Sequence, residues 1–177
     1  QPKEKITQHE EGKRDRSALH VAAVVSAPTK MLMEIITSFQ SFSPKEFLRR
    51  DEDGRTPLAL SVKYGRSSDN VMRLLKANKN AIKIIDKDGN TPLHLYLTRG
   101  KLIDHNILEV LIKANRSALG KRNVAGDVPV QVAINYTASE YILEDLYRWY
   151  LHINSIVQRM VPISLIKNVI RSDPSVA

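Results

Sequence analysis

Two stretches of the chain carry the same arrangement of apolar and polar positions. Leu58, Leu60 and Val62 open one, and Leu93, Leu95 and Leu97 open the other. Each run begins at a proline, Pro57 or Pro92, and breaks at a glycine, Gly65 or Gly100. Beyond each break the apolar residues recur at helical spacing, at Val71, Leu74 and Leu75 and again at Ile107, Leu108, Leu111 and Ile112. Residues three and four apart share one face of an α-helix. The pattern therefore predicts a short helix, a turn, a second amphipathic helix and an extended loop before the next short helix.

The segment around each proline is itself repeated. Asp53-Gly54-Arg55-Thr56-Pro57-Leu58-Ala59-Leu60 returns 35 residues later as Asp88-Gly89-Asn90-Thr91-Pro92-Leu93-His94-Leu95. A weaker copy, Gly126-Asp127-Val128-Pro129-Val130-Gln131-Val132-Ala133, follows at an offset of 37. Upstream by 39 residues, Arg16-Ser17-Ala18-Leu19-His20-Val21-Ala22-Ala23 fits the same frame, with Ala18 in place of proline. Leu74-Leu75-Lys76-Ala77-Asn78 recurs 37 residues on as Leu111-Ile112-Lys113-Ala114-Asn115, which fixes the register. Four units result. Gly54, Gly89 and Gly126 supply the positive φ of a tight turn, Thr56 and Thr91 are placed to cap a helix, and each proline stands at the first helical position, where a missing N–H costs nothing.

With these residues the chain resembles the ankyrin repeat family, whose unit of about 33 residues carries a Thr-Pro-Leu-His-x-Ala signature. Thr91-Pro92-Leu93-His94-Leu95 matches it best, and the resemblance covers roughly Arg14 to Trp149. It implies an all-α solenoid: helix-turn-helix units stacked in two layers, with the glycine turns projecting as finger loops and a helical cap at the C-terminal end. The units are expected at about 14–50, 51–85, 86–122 and 123–149, after a flexible polar leader at 1–13 and before the cap at 150–177. The sequence departs from the family at Tyr96, where alanine is usual, at the degenerate Val128-Pro129-Val130-Gln131, and in longer loops after the first two units.

After Tyr141 the pattern changes. Ile142, Leu146, Trp149, Ile153, Ile156 and Met160 are spaced alternately four and three apart without a glycine, predicting a helix that runs on toward Pro162 and a last short helix at 163–170. This stripe is expected to cap the solenoid. Its alternative is a coiled-coil seam for a second copy or a partner helix, but Tyr141, Leu143, Tyr147, Tyr150 and Val157 broaden the apolar face beyond a two-position seam.

Composition narrows the functional classes. The 177 residues are 42% hydrophobic and 26% charged, as in one folded domain, and no apolar run approaches the ~20 residues of a membrane-spanning helix. A chain that opens on Gln1 is expected to be part of a longer or processed protein. Without cysteine there are no disulfides, thiolate zinc sites or cysteine nucleophiles. The net charge of +8 is spread along the chain, so it attracts acidic partners weakly without specifying one.

Candidate chemistry is sparse. His20 and His94 occupy the signature histidine, which by resemblance bonds to backbone between units; His9, His105 and His152 are isolated, and no pair has zinc-helix spacing. Asp86, Asp88 and Asn90 alternate like a calcium loop, but the glycine comes too early and Leu97 stands where a bidentate glutamate is needed. No phosphate-binding glycine loop or nucleophile elbow is present, and the sequons at Asn115 and Asn135 are read as chance. The expectation is a chain that is not an enzyme, with no cofactor, metal or small-molecule substrate.

The resemblance implies binding on the concave face. Its contact positions fall at Arg55, Lys87, Asn90 and Asp127 on the fingers, and at Lys63, Tyr64, Thr98, Arg99, Asn135 and Tyr136 at the ends of the first helices. Tyrosine and arginine are enriched at interface hot spots. The expected function is a protein-protein interaction module, monomeric and cytoplasmic, that binds a protein or peptide there. The alternative is electrostatic attachment to anionic lipid or nucleic acid through Arg73, Lys76, Lys79 and Lys83 with Lys113, Arg116, Lys121 and Arg122. These cations also complement the ends of the second helices, and no aromatic residues interleave with them for stacking.

Overall fold

The computed structural model describes residues 16–25, 27–65 and 67–151. The expected leader at 1–13 and all of the cap beyond Leu151, including Ile153, Ile156 and Met160, lie outside the described residues. Those residues form eight α-helices and no strand. They are α1 (Ala18–Val24), α2 (Thr29–Phe42), α3 (Pro57–Tyr64), α4 (Ser68–Ala77), α5 (Pro92–Leu97), α6 (His105–Ala114), α7 (Pro129–Asn135) and α8 (Glu140–Leu151).

The helices start where the repeated letters place them. Thr56 Oγ1 accepts from the Ala59 N–H at 3.3 Å and Thr91 Oγ1 from the His94 N–H at 3.4 Å, each ahead of a proline at the first helical position. Ser67 and Asp104 cap α4 and α6 in the same way. Val128 has no side-chain acceptor to offer α7, so the fourth unit opens on its proline alone. The short helices α1, α3, α5 and α7 stack in one layer and α2, α4 and α6 in the other, while α8 pairs with α7. Leu58, Leu60, Leu93, Leu95 and Leu97 are all 2% exposed or less and belong to one continuous core. Burying each such leucine contributes about 1.5–3 kcal/mol, and both its own unit and the neighbouring ones pack against the short helices.

The expected extended loop after each second helix is instead partly a 3-10 turn. Pro44–Leu48, Lys79–Lys83 and Arg116–Gly120 wind tightly and drive Phe47, Ala81 with Ile82, and Ala118 with Leu119 into the core. The tighter winding lets five residues bring an apolar pair back under the short helices before the chain turns out to the finger.

Each finger is closed by its first residue. Asp51 Oδ1 accepts from the N–H groups of Asp53 and Arg55, and Asp86 Oδ1 from those of Asp88 and Asn90. Asn123 Oδ1 does the same for Asp127. The glycines sit at φ of +78°, +75° and +86°. Successive fingers are joined by backbone bonds, Lys87 N–H to Asp53 O at 2.9 Å and Val124 N–H to Asp88 O at 2.8 Å. They are also joined by side chains: the fifth position of one finger frame meets the first position of the next. Arg16 pairs with Asp51 at 3.5 Å, Arg55 with Asp86 at 3.4 Å, and Asn123 Nδ2 donates to Asn90 Oδ1 at 3.0 Å.

Two histidines add to these junctions. The N–H of Thr91 donates to Nδ1 of His94, so Nε2 carries the proton and donates to the Asp127 carbonyl at 3.2 Å. His20 repeats this arrangement, with the Ser17 N–H on Nδ1 and the Arg55 carbonyl 3.1 Å from Nε2. Burial holds both imidazoles below the ordinary histidine value. His105, isolated in the sequence, is not isolated in space: Nδ1 contacts the carboxylate of the buried Asp145 on α8. Ile142, Leu143 and Leu146 of α8 are buried against the last unit, and the Arg116 guanidinium lies 5.5 Å from the centre of the Trp149 ring.

Candidate functional site

The C-terminal ends of α3, α5 and α7 come side by side, and the side chains there form a groove. Tyr64 and Lys63 end α3; the Lys63 Nζ lies 5.1 Å from the centre of the Tyr64 ring. On α5, Tyr96 replaces a small residue and is only 1% exposed. Its hydroxyl accepts from the Asp104 N–H at 2.8 Å and donates to the Asp104 carbonyl at 3.0 Å. Burial raises its pKa to about 12. α5 ends at Leu97, and the two bonds pin the following loop, whose 3-10 turn Gly100–Leu102 presents Leu102 to solvent at 74% exposure.

Gly100 is required twice over. Its φ is +56°, and a Cβ there would overlap the carbonyl oxygen of Tyr136. The turn carrying Tyr136 closes α7 through bonds from Thr137 N–H to Ile134 O and from Ala138 N–H to Ala133 O. This is the glycine-type helix ending, yet Thr137 occupies its left-handed position at φ 53°, a conformation that costs a β-branched residue about 1–2 kcal/mol. Strain of this kind next to an exposed tyrosine marks a corner whose shape is imposed by its surroundings.

The resulting groove encloses about 490 Å³ and is lined by Lys63, Tyr64, Thr98, Arg99, Leu102 and Tyr136. Tyr64 and Tyr136 are 47% and 52% exposed. Arg99 lies at the centre: Nη1 donates to the Gly65 carbonyl at 2.9 Å, and its guanidinium carbon is 5.5 Å from the centre of the Tyr96 ring. Arg99 and Leu102 also border a smaller cavity of about 170 Å³ over Tyr96 and Asp104.

The residues singled out from the sequence therefore divide. Lys63, Tyr64, Thr98, Arg99 and Tyr136 share this groove. Leu102 was missed; its only sequence signal is a lone leucine in the loop after Gly100. Asn135 is exposed beside the groove and is bonded to Gln131 and Asp127. Arg55, Asn90 and Asp127 lie on the fingers with their polar groups already engaged. Arg55 is held between Asp53 and Asp86, Asn90 between Asp86 and Asn123, and Asp127 beneath His94 and Asn135. Lys87 contributes its backbone N–H to the ladder and leaves its side chain exposed. The carboxylate of Asp86 is taken up by Asp88, Asn90 and Arg55, as the turn reading requires. No group of metal-ligating side chains occurs among the described residues.

The basic stripe on the second helices is partly neutralised. Arg73 bonds to Asp69 at 2.8 Å and Lys113 to Glu109 at 2.6 Å, which hold both carboxyls below the usual carboxylate range. Arg122 donates to the Gly126 carbonyl. None of the helices in the described residues is long and apolar enough to cross a membrane.

Comparison with known proteins bears on residues 88–123, which match the family model described as the ankyrin repeat. A search of curated proteins found no match to the chain. The matched segment runs from the second finger through α5 and α6 to the third finger, and the described residues before and after it also form pairs of one short and one longer helix. Ankyrin repeats are typically non-catalytic modules of protein-protein interaction. The described residues are all-helical, and with the match over 88–123 they are consistent with an ankyrin-repeat helical solenoid.

Proposed function

We propose that this chain is a non-catalytic interaction module that binds a protein or peptide partner in the groove lined by Lys63, Tyr64, Arg99, Leu102 and Tyr136. The observation that carries this reading is the contrast in how polar and apolar groups are used. On the fingers, Arg55, Asn90 and Asp127 are tied into the solenoid, whereas the groove leaves two tyrosines and a leucine about half exposed or more. Two tyrosines, with Leu102 of the intervening unit between them, offer contact area at little cost in conformational freedom. Arg99 serves the groove as a fixed wall, since its bond to the Gly65 carbonyl holds it in place.

Site-specific photo-crosslinking tests the reading. Benzoylphenylalanine at position 102 should capture a protein from an extract of the cells of origin, and capture should fall at least tenfold when Tyr64→Ala and Tyr136→Ala are added. The same probe at position 76, on the second helices, should capture little. Equal capture at both positions, unchanged by the tyrosine substitutions, would sink the proposal.

A further inference from the structure

The groove has a charge and a length, and both select among partners. Its ionisable cations are Lys63 and Arg99, and no carboxylate lines it. Lys101, exposed between Gly100 and Leu102, adds a third cation at the rim. Lys63 falls in the last turn of α3, where a helix terminus accounts for one cation. It does not account for the apolar contact area beside it, because Leu102 and the two tyrosines do nothing for a helix dipole.

Resting on the interaction reading above, we infer that the groove takes an extended acidic peptide segment whose central apolar side chain packs on Leu102 between Tyr64 and Tyr136. The three walls come from three successive units. Neighbouring helices stack about 8–10 Å apart, so Tyr64 to Tyr136 spans two such steps, roughly 16–20 Å. An extended chain covers that distance in about five or six residues at ~3.3 Å each. A segment of that length has room for two carboxylates, one near Lys63 and one near Arg99, flanking the apolar residue. The chain's net charge of +8 draws such a segment in from a distance.

Selection from a random library of displayed eight-residue peptides, with the chain as bait, tests the inference. The expected outcome is enrichment of sequences with two or more Asp or Glu around a Leu, Met or aromatic residue. Their affinity, read by fluorescence anisotropy of the synthetic peptides, should fall at least tenfold with Lys63→Glu and about threefold with Lys63→Gln. Thermal unfolding of each variant checks that the solenoid is intact, and Lys101→Glu replaces Lys63→Glu if the latter does not fold. Peptides that lose binding with Tyr64→Ala and Tyr136→Ala but are neutral or basic overturn the charge inference and leave the groove reading standing. Peptides indifferent to the tyrosine substitutions, or no enrichment at all, overturn both. Binding to phosphatidylserine vesicles that disappears with Lys63→Glu would overturn the inference in favour of a lipid surface.

Discussion

The first helices of units two and three open from the same turn and differ at two buried positions that carry polar groups. Ala59 stands where unit three has His94, and Ser61 where it has Tyr96. His94 reaches the finger of the next unit and Tyr96 clamps the loop behind its own helix. Unit two has neither handle, and the hydroxyl of Ser61 is buried without a hydrogen-bond partner. Its junction to unit three is held by charge instead: Arg55, 11% exposed at the side chain, pairs with Asp86, and Arg99 reaches back to the Gly65 carbonyl. The apolar frame thus sets where the helices lie, while a few buried polar atoms decide what ties one unit to the next. Imidazoles tie the first and last junctions, the first together with the Arg16–Asp51 pair, whereas Arg55–Asp86 ties the middle one without an imidazole.

Removing the strongest handle should separate the two units most. His94→Ala leaves the Thr91 N–H and the Asp127 carbonyl without their partners and opens a cavity, so it should cost about 2–4 kcal/mol in denaturant unfolding. Unit two shows that alanine fits the backbone at this position. A loss below about 1 kcal/mol would mean that the imidazole bridge contributes nothing that water or repacking does not replace.

Tyr96→Phe is the next test. It deletes both bonds to Asp104 while keeping the ring, and should cost about 1–2 kcal/mol. It should also change the alkaline behaviour of the chain. The folded state keeps the Tyr96 proton to about pH 12 while an unfolded tyrosine gives it up near 10, so its contribution is whole below pH 10 and declines as the pH rises toward 12. The phenylalanine variant should lack that decline in an unfolding series from pH 9 to 11.5.

Acid acts on the imidazole junctions. Because burial holds the folded-state pKa of His20 and His94 below 6.5, the unfolded chain takes up protons first, and stability falls as the pH drops below about 6.5. The melting temperature should drop between pH 7.5 and 5, and the drop should shrink in His94→Ala. An identical drop in the variant would place the acid sensitivity elsewhere.

The smallest effect carries the opposite sign. Ser61→Ala removes a buried hydroxyl that has no partner and should leave stability unchanged or raise it by up to about 1 kcal/mol. Equivalent positions of two units would then respond in opposite directions to loss of a hydroxyl.

Much of the fold was legible because its local rules are strong. Thr-Pro marks a helix start, the finger glycines mark the turns, and the spacing of Leu74 and Leu75 or Leu111 and Ile112 marks the second helices. The 3-10 turns were not legible: Ala81-Ile82 and Ala118-Leu119 are pairs too short to show a period. For the candidate site, the repeat register and the contact positions implied by the family resemblance together singled out Lys63, Tyr64, Arg99 and Tyr136, which line the groove. Leu102 escaped because its position follows from the bonds of Tyr96 to the Asp104 backbone, which hold the loop between them. Which finger residues pair with one another depends on distances between units, and no single-unit pattern encodes them.

The pairing of each fifth finger position with the first position of the next finger also limits how such a gene can be cut and rejoined. Arg16 to Asp51 and Arg55 to Asp86 are cation to carboxylate, whereas Asn90 to Asn123 is amide to amide. A deletion that excised unit three in frame would leave every helix with a neighbour of the right shape. It would also set the nearly buried Arg55 against Asn123, which has no charge to answer it. Whole units are therefore not interchangeable parts: what recombination must preserve is the seam between two units, and a duplication survives most easily when it copies both halves of a seam together.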